Sequence, residues 1–159
     1  MNRKKNMREK NPMQLYKIGD THENGGIVFS IQNIHPPRFS FFNLFSFYRE
    51  IKIWQLGKQG YGIHGKVCHS KDLGMMEWAD AFKACEHLGP GWYLPSSSEL
   101  DKIYRNLHIH GLGGFQRKPY WASRHNRNDT RYALNFYTGF IFRMPFSEKE
   151  AYVRAVREF

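Results

Sequence analysis

Apolar positions recur along this chain with two periods, and the change from one to the other predicts its elements. Ile27-Val28-Phe29-Ser30-Ile31 follows a Gly25-Gly26 turn and reads as a short buried strand. Lys66-Val67-Cys68-His69 reads as a second. From Gly74-Met75-Met76-Glu77 a helix is predicted to run to Leu88, with Trp78, Ala81, Phe82, Cys85 and Leu88 on one face. Gly89-Pro90 is its expected stop, since proline cannot continue a helix. A second helix has a sharper start, because Ser96 followed by Glu99 is a capping box. Its apolar stripe is Leu100, Ile103, Tyr104 and Leu107, and the glycine-rich run from His110 to Gly114 ends it. Strands are expected thereafter: Tyr120-Trp121-Ala122-Ser123, a hairpin from Tyr132–Phe136 and Phe140–Arg143 turned at Thr138-Gly139, and a last strand from Tyr152 to Phe159. Helices grouped ahead of an antiparallel sheet predict an α+β fold, not a doubly wound sheet.

The last strand contains a conflict. Arg154 and Arg157 are an odd number of residues apart, so a regular strand points them to opposite faces, as it does Val153 and Val156. Either the sheet is covered on both sides or a bulge intervenes. The simplest reading of Arg154 is a structural arginine that fixes a loop by several hydrogen bonds.

Four runs carry a further signal: Gly25-Gly26-Ile27-Val28-Phe29, Gly91-Trp92-Tyr93-Leu94-Pro95 with Glu99-Leu100, Tyr120-Trp121-Ala122-Ser123, and the ending Tyr152-Val153-Arg154-Ala155-Val156-Arg157-Glu158-Phe159. Together they resemble the C-terminal domain family of Legionella collagen-like (Lcl) adhesins, over residues 18–159 apart from one insertion. The resemblance implies a C-type-lectin-like fold, related also to the formylglycine-generating enzyme. Two helices would lie against a mostly antiparallel sheet, with the first and last strands paired. It implies a ligand-binding scaffold, not a catalyst, and it is a fold-level warrant only. In that family a brief hairpin linker leads to a His-Gly pair. Here His64-Gly65 comes only after a stretch rich in aromatic and basic residues, which we read as an insertion at about 34–58. The domain organisation is then a basic, mobile tail over 1–16 and a single domain over 17–159.

The insertion has three readings. It could lie on a membrane surface, with Phe41, Leu44, Phe45, Tyr48 and Trp54 in lipid and Arg38, Arg49 and Lys52 at headgroups. It could be a patch for a protein partner or for self-association. The simplest reading is a satellite core folded back on the domain.

Composition adds a partner class. The 159 residues suit one domain, and the 16% aromatic content lets a turn-rich fold bury a real core. Twenty-four Lys and Arg against 14 Asp and Glu leave a formal charge of +10, which favours polyanions. The best ligand-facing candidates are Arg117 and Lys118 before the Tyr-Trp strand, then Arg124, His125, Arg127 and Arg131 after it, opposed only by Asp129. Arginine offers sulfate, phosphate and carboxylate a fixed fork of donors. The leading function is therefore a non-enzymatic module that holds an acidic glycan, such as a glycosaminoglycan, or a similar polyanion. The alternative is a protein- or membrane-interaction module acting through 38–56.

Other chemistries find little support. Calcium-dependent sugar binding needs clustered carboxylates, and neither Glu-Pro-Asn nor Trp-Asn-Asp occurs. No cysteine follows Cys85, which leaves formylglycine-type chemistry without its thiols. No phosphate loop, Gly-x-Ser-x-Gly or His-Glu-x-x-His is present, and His108-x-His110 has no further zinc ligands at suitable spacing. Cys68 and Cys85 are expected as free thiols, Cys85 on an apolar helical face. No nucleic-acid module signature occurs, which ranks nucleic acid last. The polar run after the basic start does not read as a leader, so the default expectation is cytoplasmic, or exported without a cleaved leader.

Overall fold

Among the described residues, two open sheets and two helices make up the architecture, an α+β arrangement with mostly antiparallel strands. The computed structural model describes residues 16–23, 25–34, 62–125, 131–145 and 149–159. The strands are β1 (Ile27–Ile34), β2 (Gly62–Cys68), β3 (Met75–Glu77), β4 (Pro119–His125), β5 (Arg131–Asn135), β6 (Ile141–Arg143), β7 (Glu150–Tyr152) and β8 (Val156–Glu158). The helices are α1 (Trp78–Glu86) and α2 (Ser97–Asn106), and a short 3-10 turn covers His108–His110. One sheet runs β1-β2-β8 and the other β3-β7-β4-β5-β6. Among the described residues, β4 and β7 pair in parallel at Tyr120 and Tyr152.

Four expectations are corrected. A single sheet was expected, and there are two. The first and last strands share a sheet but do not pair, because β2 lies between them. The segment Met75–Glu77 is a strand on β7, and α1 starts only at Trp78. Met75 and Glu77 are exposed while Met76 is partly buried, a period of two that the helical reading absorbed. The run from Tyr152 to Phe159 is not one strand. It leaves the larger sheet after Tyr152, crosses through Val153-Arg154-Ala155, and joins the smaller sheet at Val156.

That crossing resolves the arginine conflict. Val153, Arg154, Ala155 and Val156 are all buried, which no strand with one wet face permits. Arg154 is only 1% exposed. Its Nε donates to Asp72 at 2.7 Å, and its Nη1 donates to the carbonyls of His69 and Gly113, each at 2.9 Å. The guanidinium also lies 4.0 Å from the Phe115 ring centroid. It is the structural arginine that its position suggested.

The core has two clusters, and the helices divide between them. The α1 face meets Val28, Val67, Trp121 and Ala133 through Ala81 and Cys85, with Trp78, Phe82 and Leu88 packed alongside. The α2 face meets Phe29, Cys68, Tyr120 and Leu134 through Leu100, Ile103 and Leu107. Adjacent residues Tyr120 and Trp121 are therefore both fully buried, so β4 is covered on both faces. Trp121 Nε1 donates to Met76 O and Trp78 Nε1 to Ala122 O, both at 2.8 Å, so neither indole N–H is left unpaired. The capping box of α2 is present as the sequence reads. Cys68 and Cys85 are free and buried, in different clusters, and burial pushes their thiols up to about 11 and about 12.

Candidate functional site

By backbone register, the basic candidates among the described residues fall at two places. Pro119 pairs with Asn135 at one end of the β4–β5 ladder and His125 pairs with Arg131 at the other. Arg117 and Lys118 precede the first end. Arg124, His125 and Arg131 sit at the second, and Arg127 lies outside the described residues. Six residues of strand separate the ends by about 20 Å, roughly twice the screening length at moderate salt. The loops taken as neighbours are thus two separate places. The insertion residues Phe41, Phe45, Tyr48, Arg49, Lys52 and Trp54 also lie outside the described residues.

The Arg117 end is the better defined. The β5–β6 hairpin turns through Phe136-Tyr137-Thr138-Gly139, held by Gly139 N and Thr138 N donating to Asn135 O. Asn135 Oδ1 accepts from Tyr137 N at 2.8 Å. Gly139 has φ of 77°, and a Cβ there would come within 2.7 Å of the Tyr104 ring, so glycine is required on both counts. Phe136 goes into the core beneath the turn, while Tyr137 and Phe140 stay 62% and 74% exposed. The Arg117 guanidinium lies 4.4 Å over the Tyr137 ring. Lys118 is exposed beside it, and its carbonyl accepts from Phe136 N at 3.1 Å. Among the described residues no carboxylate pairs with Arg117, Lys118 or Arg131. A cation over an exposed ring contributes about 0.5–1 kcal/mol, enough to orient the guanidinium but not to occupy its donors.

A second polar place lies on the smaller sheet and was not foreseen. Cross-strand register sets Ser30 beside Lys66 and Lys66 beside Glu158, with Gln32 beside His64 in the next row. Lys66 Nζ donates to Glu158 Oε1 at 2.6 Å, to Glu99 Oε1 at 2.7 Å and to Tyr93 Oη at 3.1 Å. Tyr93 Oη donates to Glu99 Oε1 at 2.8 Å, and Ser96 N donates to Glu99 Oε2 at 2.7 Å. The carboxylate that caps α2 therefore also clamps the helix start to β2. Burial works against the Lys66 charge, but hydrogen bonds to Glu158, Glu99 and Tyr93 outweigh it and hold its pKa above the usual lysine range. Burial likewise opposes ionisation of Glu99, yet the bonds from Lys66, Ser96 and Tyr93 keep its pKa below the ordinary value. Burial pushes the Tyr93 hydroxyl up to about 12.

Beside this clamp is a cavity of about 240 Å³ lined by Ser30, Gln32, His64, Gly65, Lys66, Glu158 and Phe159. A shallower recess lined by Pro90, Gly91, Tyr93, Arg157 and Glu158 lies across Glu158 from it. Among the described residues no group of three His, Cys, Asp or Glu could hold a metal ion. No helix among them is long and apolar enough to cross a membrane. Compared with protein-family models and with curated proteins, the chain matches none.

Two features were missed, and only one of them had a signal in the sequence. Tyr137 and Phe140 flank a Thr-Gly turn, and aromatics at a hairpin tip are poorly placed to reach a core, which is itself a mark of a presented surface. The Lys66 cluster left no such mark, because it depends on register across three strands and on a helix start 30 residues away in sequence.

Proposed function

We propose that this chain is a non-enzymatic binding module of lectin-like α+β type, which holds an acidic glycan or similar polyanion. The observation that carries the reading is the Arg117 guanidinium over the exposed Tyr137 ring, with Lys118 beside it and no carboxylate partner among the described residues. A flat aromatic face suits the apolar side of a sugar ring, and the adjacent cations suit its sulfate or carboxylate. The residues that resemble Lcl adhesin C-terminal domains support the same reading. The second cationic end, about 20 Å away by strand rise, favours an extended polymer over a small anion.

The test is retention on immobilised heparin across a salt gradient. Arg117→Ala with Lys118→Ala should elute at clearly lower salt than the parent chain. Lys83→Ala should not, since Lys83 pairs with Asp80 on α1. Arg124→Ala with Arg127→Ala measures what the second end adds. Removal of 38–56 should leave retention intact. If the Arg117 and Lys118 double change leaves elution where it was, this reading is wrong.

A further inference from the structure

We propose that the cavity on the β1–β2–β8 sheet binds one neutral, polyhydroxylated ring, such as a single uncharged sugar residue. This site is separate from the hairpin proposed to hold a polyanion, and its ligand carries no charge. Its volume of about 240 Å³ is below the roughly 300–1,000 Å³ of pockets that take drug-sized molecules, which restricts it to a ligand of about one ring.

The ammonium donors are already taken. Lys66 is the ammonium in the cavity wall, and its three N–H donors match three oxygens, on Glu158, Glu99 and Tyr93. An incoming sulfate or carboxylate could engage Lys66 only by breaking one of these bonds. Both carboxylates already hold the ammonium, so the cluster offers an anion no unused Lys66 donor. A hydroxyl meets no such barrier. It can donate to a carboxylate and accept from an amide N–H, and the wall supplies both types.

The lining supplies those groups. Gln32 is exposed at the rim and carries both an amide donor and an amide acceptor. Ser30 adds a hydroxyl, and the Glu158 carboxylate, 54% exposed, faces solvent while one of its oxygens holds Lys66. Phe159, whose ring also packs against His22 and Tyr16, adds an apolar part to the lining. The frame is stiff. Gly65 and Phe159 exchange backbone hydrogen bonds, both at 3.0 Å, and a Cβ on Gly65 would come within 2.5 Å of the Phe159 ring. The glycine lets the last residue close over β2 and form one side of the cavity.

The test is a titration of the isotope-labelled full chain, followed through its backbone amide signals. The probes are the methyl glycosides of glucose, galactose, mannose and N-acetylglucosamine. At least one should shift the amides of Ser30, Gln32, His64, Lys66 and Glu158 in a saturable way, with millimolar affinity. Gln32→Ala, at an exposed position, should weaken that glycoside about 3- to 10-fold, the worth of one or two neutral hydrogen bonds, and leave heparin retention unchanged. Inorganic sulfate should leave these amides unmoved. The proposal is overturned if no glycoside shifts them at about 50 mM, a concentration well past millimolar affinity. It is equally overturned if sulfate shifts them, or if Gln32→Ala has no effect. None of these results bears on whether Arg117 holds heparin, so the two readings fail separately.

Discussion

Lys66 keeps its ammonium within 3.1 Å of three oxygens, two of them on carboxylates. Arg117 has an aromatic ring beneath it and, among the described residues, no carboxylate. Both count equally toward the formal charge of +10, yet they do different work. Lys66 fixes a helix start to a sheet beside a polar cavity. Arg117 is oriented by an aromatic ring and presents its donors outward. Arg154 extends the first type to full burial, with its donors directed at Asp72 and two backbone carbonyls. Net charge therefore overstates what a ligand meets. The useful quantity is the number of cations whose donors the protein has left unused.

The contrast can be broken most severely at its buried extreme. Arg154→Ala leaves the Asp72 carboxylate, also bonded by Tyr120 Oη, without its charged partner, and strips two carbonyls of their donors. The expected loss of stability is about 3–5 kcal/mol, read from urea or thermal unfolding. A loss under about 1 kcal/mol would mean that the crossing between the sheets does not depend on this arginine.

Lys66→Met should cost less, about 1–3 kcal/mol, because the cluster is partly wet and Glu158 can turn to solvent. It should also change the pH profile. The Glu99 pKa is depressed in the folded state, so the stability it contributes is present above the unfolded value near 4.5 and is lost as pH falls through the lower folded value. Lys66 has the opposite sign. Its raised pKa contributes stability that is present below the ordinary lysine value near 10.5 and is lost only as pH rises through the folded value. Unfolding midpoints of the parent chain should therefore drop below about pH 4.5, and Lys66→Met should flatten that drop. If both chains lose stability in parallel, the Lys66–Glu99 pair is not the acid-sensitive element.

How much of this was readable follows from the range of each interaction. The capping box at Ser96 and Glu99, the apolar faces of both helices and the Thr138-Gly139 hairpin are local, and the chain states them within a few residues. Arg154 was readable as structural because a strand interior is poorly placed to meet a ligand from solvent. The break between β7 and β8 was not, since either a bulge or a two-sided sheet would explain the odd spacing of Arg154 and Arg157. The strand at Met75–Glu77 merged with the helix behind it, because three residues cannot show a period against an adjoining helical run. The separation of Arg117 from Arg131 follows from an antiparallel ladder that puts the start of one strand beside the end of the next. Proximity in sequence had suggested the reverse.

The smallest effect on stability should come with the largest effect on binding. Arg117→Ala removes an exposed guanidinium that lies over the ring of Tyr137, so stability should change by no more than about 0.5 kcal/mol. Tyr137→Ala should be similarly silent in unfolding, since the ring is mostly exposed. Their effects on heparin retention should nonetheless be coupled. With the ring gone, the guanidinium is no longer held over the hairpin, and a double change should cost less than the sum of the two single ones. Retention should also fall with salt, as exposed charge contacts are screened. Strict additivity of the two changes would separate the ring from the cation. It would reduce the hairpin tip to two independent exposed side chains, and the contrast with the interlocked Lys66 cluster would then lie in the charge alone.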